Sequence, residues 1–136
     1  MEVSVSRKCV FNAAHRLYVK DWDNEKNESV FGKCNNLNYH GHNYILLATV
    51  TGEVDPITGY VIDTKILKEI LFEEIEDRFD HKNLNLDTEE FKTKNPTAEN
   101  IAIACWDLIH KRIDKHFKLK VCLYETERNF VEYEGK

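Results

Sequence analysis

A surplus of positive charge is missing from this chain. Its 136 residues carry 19 lysines and arginines against 24 aspartates and glutamates, a formal charge of -5. A nucleic-acid partner wants a basic face, so none is expected. A small phosphorylated ligand stays open, because a few local cations suffice to hold it. Long apolar runs are also missing. Stretches such as "ILLATV" are far too short to span a bilayer. The opening "MEVSVSRK" has no signal-peptide pattern, so a cytoplasmic protein is expected. The four cysteines, at 9, 34, 105 and 122, form no CxxC pair, and no disulfide framework is expected. There is no glycine-rich dinucleotide fingerprint. The two prolines, Pro56 and Pro96, sit in turn-like contexts, and no linker, repeat or low-complexity tract interrupts the chain. One domain over residues 1–136 is expected.

What is present reads as an α+β domain. In "VSVSRKCVFNAAH", Val3, Val5, Cys9, Phe11, Ala13 and His15 share one strand face, broken by Arg7. Residues 18–38 are polar and read as a long irregular loop, of the kind that is usually functional. A second strand follows in "YHGHNYILLATVTGEV", then turn chemistry in "DPITG". Asp63 is a candidate N-cap for a helix whose apolar stripe is Ile66, Leu67, Ile70, Leu71, Ile75 and Phe79. A second helix starts near Thr97, and "KLKVCLYET" and "NFVEY" alternate like strands. The order is ββααββ: a four-stranded antiparallel sheet with two helices on one face. Its open sheet edges point to an oligomer.

The chemistry concentrates in "FGKCNNLNYHGHNY". His40 and His42 lie two apart on a strand, so both imidazoles face the same way. His15 ends the preceding strand, and an antiparallel hairpin would bring it to them. Three neutral imidazoles suit zinc and leave a fourth position for water or substrate. His110 and His116 read as ordinary helix-surface residues. Cys9, Cys105 and Cys122 fall on apolar faces and pack as small hydrophobes. Cys34 sits in a polar loop beside Lys33. It is either a fourth ligand, closing a structural zinc site, or a thiolate base or nucleophile. Asp80 directly precedes His81, where a carboxylate can set an imidazole's tautomer or simply end a helix. Glu125 shares strand parity with Leu119, Val121 and Leu123 and suits an N–H-rich planar ligand edge. Thr97 and Glu99 read most simply as helix-start residues. Glu125 and Thr97 are the candidate substrate contacts. Arg16, Lys20 and Lys33 are the cations near the ligands in sequence.

The blocks "FNAAHRLY", "FGKCNNLNYHGHNY", "GEVDPITGYVID", "FDHKNLNL", "NPTAEN" and "YETERNFVEYEG" together closely resemble the 6-pyruvoyl-tetrahydropterin synthase family, in family order and over nearly the whole length. The resemblance implies the tunnelling fold, in which trimers form a barrel of strands and two trimers stack as a homohexamer. It implies zinc held by His15, His40 and His42, and Cys34 as general base with Asp80 and His81 as its relay. It implies Glu125 as anchor for the amino-pyrimidine edge, and active sites between subunits. The reaction it implies is a lyase step that turns 7,8-dihydroneopterin triphosphate into 6-pyruvoyl-tetrahydropterin and triphosphate, in tetrahydrobiopterin-type biosynthesis. A sister branch makes 6-carboxy-tetrahydropterin for queuosine. It usually leaves three residues between the cysteine and H-G-H, where this chain has five, as in the pyruvoyl enzymes. "NPTAEN" looks more like the carboxy branch. The loop length carries more weight, because it positions the thiol. A non-catalytic zinc protein closed by Cys34 and a three-histidine zinc hydrolase are the readings from other classes.

Overall fold

Two long strands dominate the computed structural model, which describes residues 1–136. β1 (Glu2–His15) and β2 (His40–Glu53) pair antiparallel along their whole length, with Glu2 opposite Glu53 and His15 opposite His40. Three further strands, β3 (Lys82–Asn83), β4 (Lys118–Tyr124) and β5 (Phe130–Tyr133), complete a sheet of order β3-β1-β2-β4-β5. The sequence predicts four antiparallel strands; the sheet has five and is mixed. β3 is only two residues long and runs parallel to β1 beside Ala13 and Ala14. Two residues cannot show an alternation, so periodicity gave no sign of it.

Helices α2 (Thr64–Leu71) and α3 (Ala98–His110) start where their caps predict. Asp63 accepts from the Lys65 N–H, and Thr97 accepts from the Asn100 N–H. α2 runs on through a π-helical stretch, Phe72–Glu76, and a last turn, Asp77–Phe79. Residues 18–38 are not irregular throughout. They hold α1 (Asn24–Phe31), capped by Asp23. Its "NEKNESVF" has no apolar stripe. What fixes it is one buried asparagine: Asn27 accepts from the Val19 N–H and donates to the Val19 carbonyl.

The core lies between the sheet and the α2 and α3 layer. Cys9, Phe11 and Ala13 of β1 share this face with Tyr44, Leu46 and Ala48 of β2, all buried. Phe11 stacks on Tyr44 at 4.9 Å between centroids. Val3, on the same face, is 45% exposed, so the β1 face is covered only toward its histidine end. Ile66 of the predicted α2 stripe is also exposed, while Leu67, Ile70, Leu71, Ile75 and Phe79 are buried. All four cysteines are free; Cys9, Cys105 and Cys122 are buried and Cys34 is half-buried. No helix is long and apolar enough to cross a membrane.

Candidate metal and catalytic site

The three histidines meet because of register and parity. β1 ends at His15 directly opposite His40, and Ala13 stands opposite His42. Successive odd residues of β1 and even residues of β2 point into the core layer, so all three rings emerge on that face. The small Ala13 side chain leaves room for them. Ring centroids are 4.6 Å apart for His15 and His40, 5.1 Å for His15 and His42, and 5.0 Å for His40 and His42. One donor atom from each falls within 4.8 Å of the others.

The hydrogen bonds around the cluster choose the donor atoms. His15 Nδ1 lies 2.8 Å from the Pro96 carbonyl, which can only accept, so Nδ1 carries the proton and Nε2 presents its lone pair. That Nε2 is 3.1 Å from His40 Nε2. His42 Nε2 and His40 Nδ1 are buried without any partner. An unpaired buried ring nitrogen is costly unless something binds it. Burial, first, and the neighbouring rings hold the His15 pKa down to about 4. Burial also lowers that of His40. Both effects keep the rings neutral, the form a metal needs. The donor set, its closeness and the orphaned nitrogens fit a metal ion bound by three histidines.

Sequence reading missed two contributors. Tyr44, fully buried, brings its hydroxyl to 3.2 Å from His15 Nδ1. It lies two residues beyond His42, on the same face, so parity could have found it. Pro96 comes from the α2–α3 connection, and nothing local announces its carbonyl.

Cys34 stands in a 3-10 turn, Gly32–Asn35, whose chain is tied back to the end of β1 by the Leu17 N–H, which donates to the Cys34 carbonyl at 2.8 Å. The thiol is pushed up by burial and then by the negative charge of Glu125. Glu125 likewise raises Tyr44 and opposes the lowering of His40, so its charge acts on Cys34, Tyr44 and His40 of the same chain. Cys34 is not one of the donors gathered in the histidine cluster. Glu125 follows β4, half-buried, its N–H donating to the Asn129 carbonyl. It enters none of the ion pairs of the chain. A cleft of about 270 Å³ opens beside it, lined in part by Ala98, Glu99 and Phe130.

Asp80 and His81 lie elsewhere, on the outer edge of β1. Asp80 Oδ1 accepts from the Asn12 N–H at 2.8 Å, and Oδ2 is 2.9 Å from His81 Nδ1. The Asn12 bond, with His81 assisting, holds Asp80 below its usual range. His81 sits at φ 60° with its side chain 84% exposed. The helix-end reading is therefore incomplete: the chain turns sharply here and presents the imidazole outward. Thr97 is engaged as the N-cap of α3. Thr97→Ala is expected to cost about 1 kcal/mol in denaturant unfolding. Of the three cations, Arg16 and Lys33 line one cleft of about 590 Å³ beside the Cys34 turn. Lys20 lines another, with Lys92 and Lys94. His110 stacks on Trp106 and His116 pairs with Asp114, both apart from the cluster.

Comparison with known proteins agrees with this arrangement. The family model described as 6-pyruvoyl tetrahydropterin synthase matches residues 4–136. A human protein named 6-pyruvoyl tetrahydrobiopterin synthase is 44% identical over 135 residues, covering 99% of this chain and 93% of its own. A relative of the same name from Dictyostelium discoideum is 41% identical over 134 residues, covering 98% and 97%. The solved structure of the Caenorhabditis elegans 6-pyruvoyl tetrahydropterin synthase superposes with a TM-score of 0.94 at 38% identity, covering 100% of this chain and 97% of that one. A histidine triad at one sheet end, a separate thiol turn and a full-length match in sequence and fold lead to one conclusion: this chain belongs to the 6-pyruvoyl tetrahydropterin synthase family.

Proposed function

We propose that this protein converts 7,8-dihydroneopterin triphosphate to 6-pyruvoyl-tetrahydropterin and triphosphate, as a cytoplasmic zinc-dependent lyase. The observation that carries the reading is a three-histidine donor set from which Cys34 stands apart, leaving the thiol free to act. The named relatives support the pyruvoyl product.

His15, His40 and His42 would hold the ion through ring nitrogens, and burial keeps His15 and His40 neutral for that role. When bound there, zinc supplies a Lewis acid that polarises the oxygens of the substrate side chain. Cys34 takes a proton from the side-chain carbon. With that carbon the carbinol next to the ring, its C–H electron pair shifts into the ring C=N bond, which takes up a proton, so the carbinol is oxidised as the ring is reduced and no nicotinamide is consumed. Loss of a proton from the next side-chain carbon supplies the pair that breaks the C–O bond and expels triphosphate.

In the isolated chain, burial and Glu125 both oppose ionisation of Cys34. Its activation is the role we give Asp80 and His81. They stand on an outer sheet edge, where a neighbouring subunit could meet them with its own thiol. The free edges support assembly through strands into trimers and a homohexamer. β3 covers β1 only at Ala13 and Ala14, and β5 ends the sheet on the other side.

Glu125 accepts hydrogen bonds from the amino-pyrimidine edge. Glu125→Gln replaces an acceptor oxygen by a donor and removes charge assistance, about 1.5–3 kcal/mol. A pterin titration should show binding weakened about tenfold or more; unchanged affinity would move the anchor elsewhere. Product analysis of purified protein with dihydroneopterin triphosphate tests the reading as a whole. Dominant 6-carboxy-tetrahydropterin with acetaldehyde would overturn the pyruvoyl assignment.

A further inference from the structure

We propose that Arg16 is a positioning residue, which holds the Cys34 turn in register with the histidine end of β1. Arg16 directly follows His15. Its backbone is fixed on both sides by one side chain: the Arg16 N–H donates to Asn85 Oδ1 at 2.8 Å, and its carbonyl accepts from Asn85 Nδ2 at 2.9 Å. Asn85 thereby continues the sheet edge past the point where β1 stops.

From that fixed backbone the side chain reaches the residue after the thiol. Arg16 Nε donates to the Asn35 carbonyl at 3.0 Å, and an Nη donates to Asn35 Oδ1 at 3.0 Å. The guanidinium rests on the Tyr18 ring, 4.2 Å from its centroid. Leu17 donates to the Cys34 carbonyl. Two consecutive residues, Arg16 and Leu17, thus grip two others, Cys34 and Asn35. The turn has no buried residue to anchor it in the core, so this polar grip is what sets its place. A planar fork fixes orientation as well as distance, which an ammonium cannot do.

The inference rests on the reading of Cys34 as the base. Two independent readouts test it on zinc-loaded enzyme carrying Arg16→Lys or Arg16→Gln. Turnover should fall about 10- to 100-fold, as expected for a displacement of ~1 Å, with KM unchanged. Alkylation of Cys34 by iodoacetamide, followed by peptide mass analysis, should accelerate as the turn is released. Asn35→Ala, which loses only the side-chain half of the fork, should give a smaller change in both. Zinc content and thermal midpoint should stay at wild-type values.

A raised KM with intact kcat would make Arg16 a contact to the substrate's triphosphate and overturn the proposal. So would wild-type kinetics and alkylation, or losses that track zinc or stability. Cys34→Ala, run in the same assay, separates the two ideas. Wild-type turnover in that variant would remove Cys34 as the base. Lost turnover there beside unchanged Arg16 variants would remove only the positioning role.

Discussion

Cys34→Ala is expected to keep its zinc and its fold while turnover falls by about 10²–10⁴, the usual range for loss of a general base. The geometry separates the two functions. The three imidazoles gather their donor atoms without the thiol, and His15 Nε2 is already oriented by the Pro96 carbonyl acting on the other ring nitrogen. Removing a sulfur outside that set should leave the ion in place. The Gly32–Asn35 turn has no buried residue, so its cysteine holds no core together. Metal analysis of the purified variant, beside its turnover, checks both halves. Loss of zinc with activity would restore the alternative in which Cys34 closes a structural site.

The electrostatics sharpen that expectation. A cysteine near a cation or metal has a depressed pKa, yet here burial and Glu125 push the thiol up. Both influences favour the thiol over the thiolate. The proposed mechanism therefore assigns activation to Asp80 and His81, at the sheet edge. Asp80 is fixed there by Asn12 and holds His81 outward.

Much of this was legible in the residues, and the illegible parts share a cause. His40 and His42 declare a common face by their spacing, and His15 joins them once the two strands pair in a hairpin. The helix starts at Asp63 and Thr97 are local capping events, readable within four residues. α1 has a local cap too, Asp23, but escaped because no apolar stripe follows it; its anchor is one buried asparagine, Asn27, bonded to Val19 in the loop before it. β3 escaped because a two-residue parallel strand exists only through its partner. Pro96 and Asn85 act on His15 and Arg16 from 81 and 69 residues away. Contacts of that range leave no periodicity in the chain. What the sequence pattern supplies is the chemistry and the face; the tautomer and the placement of the thiol turn come from tertiary bonds.

His40→Ala or His42→Ala should strip the metal from the protein as purified. Loss of an outer-shell partner commonly costs about 10–100-fold in metal affinity, and loss of a direct ligand from a three-histidine set should cost more. His40 and His42 are the informative positions. His15 is fully buried, and its truncation would leave a cavity whose effect on stability mixes with the effect on metal. His40 and His42 are half-buried at the end of the sheet, so their truncation acts mainly on the ion. The same ion should also stabilise the fold, because it binds three residues that only the folded sheet brings together. A ligand present at about 100 times its dissociation constant adds roughly 2.7 kcal/mol. A chelator should therefore lower the thermal midpoint of the wild-type protein and leave that of His40→Ala almost unmoved. Wild-type zinc content in both variants, or an equal chelator effect on all three proteins, would refute the assignment of these histidines as the metal site.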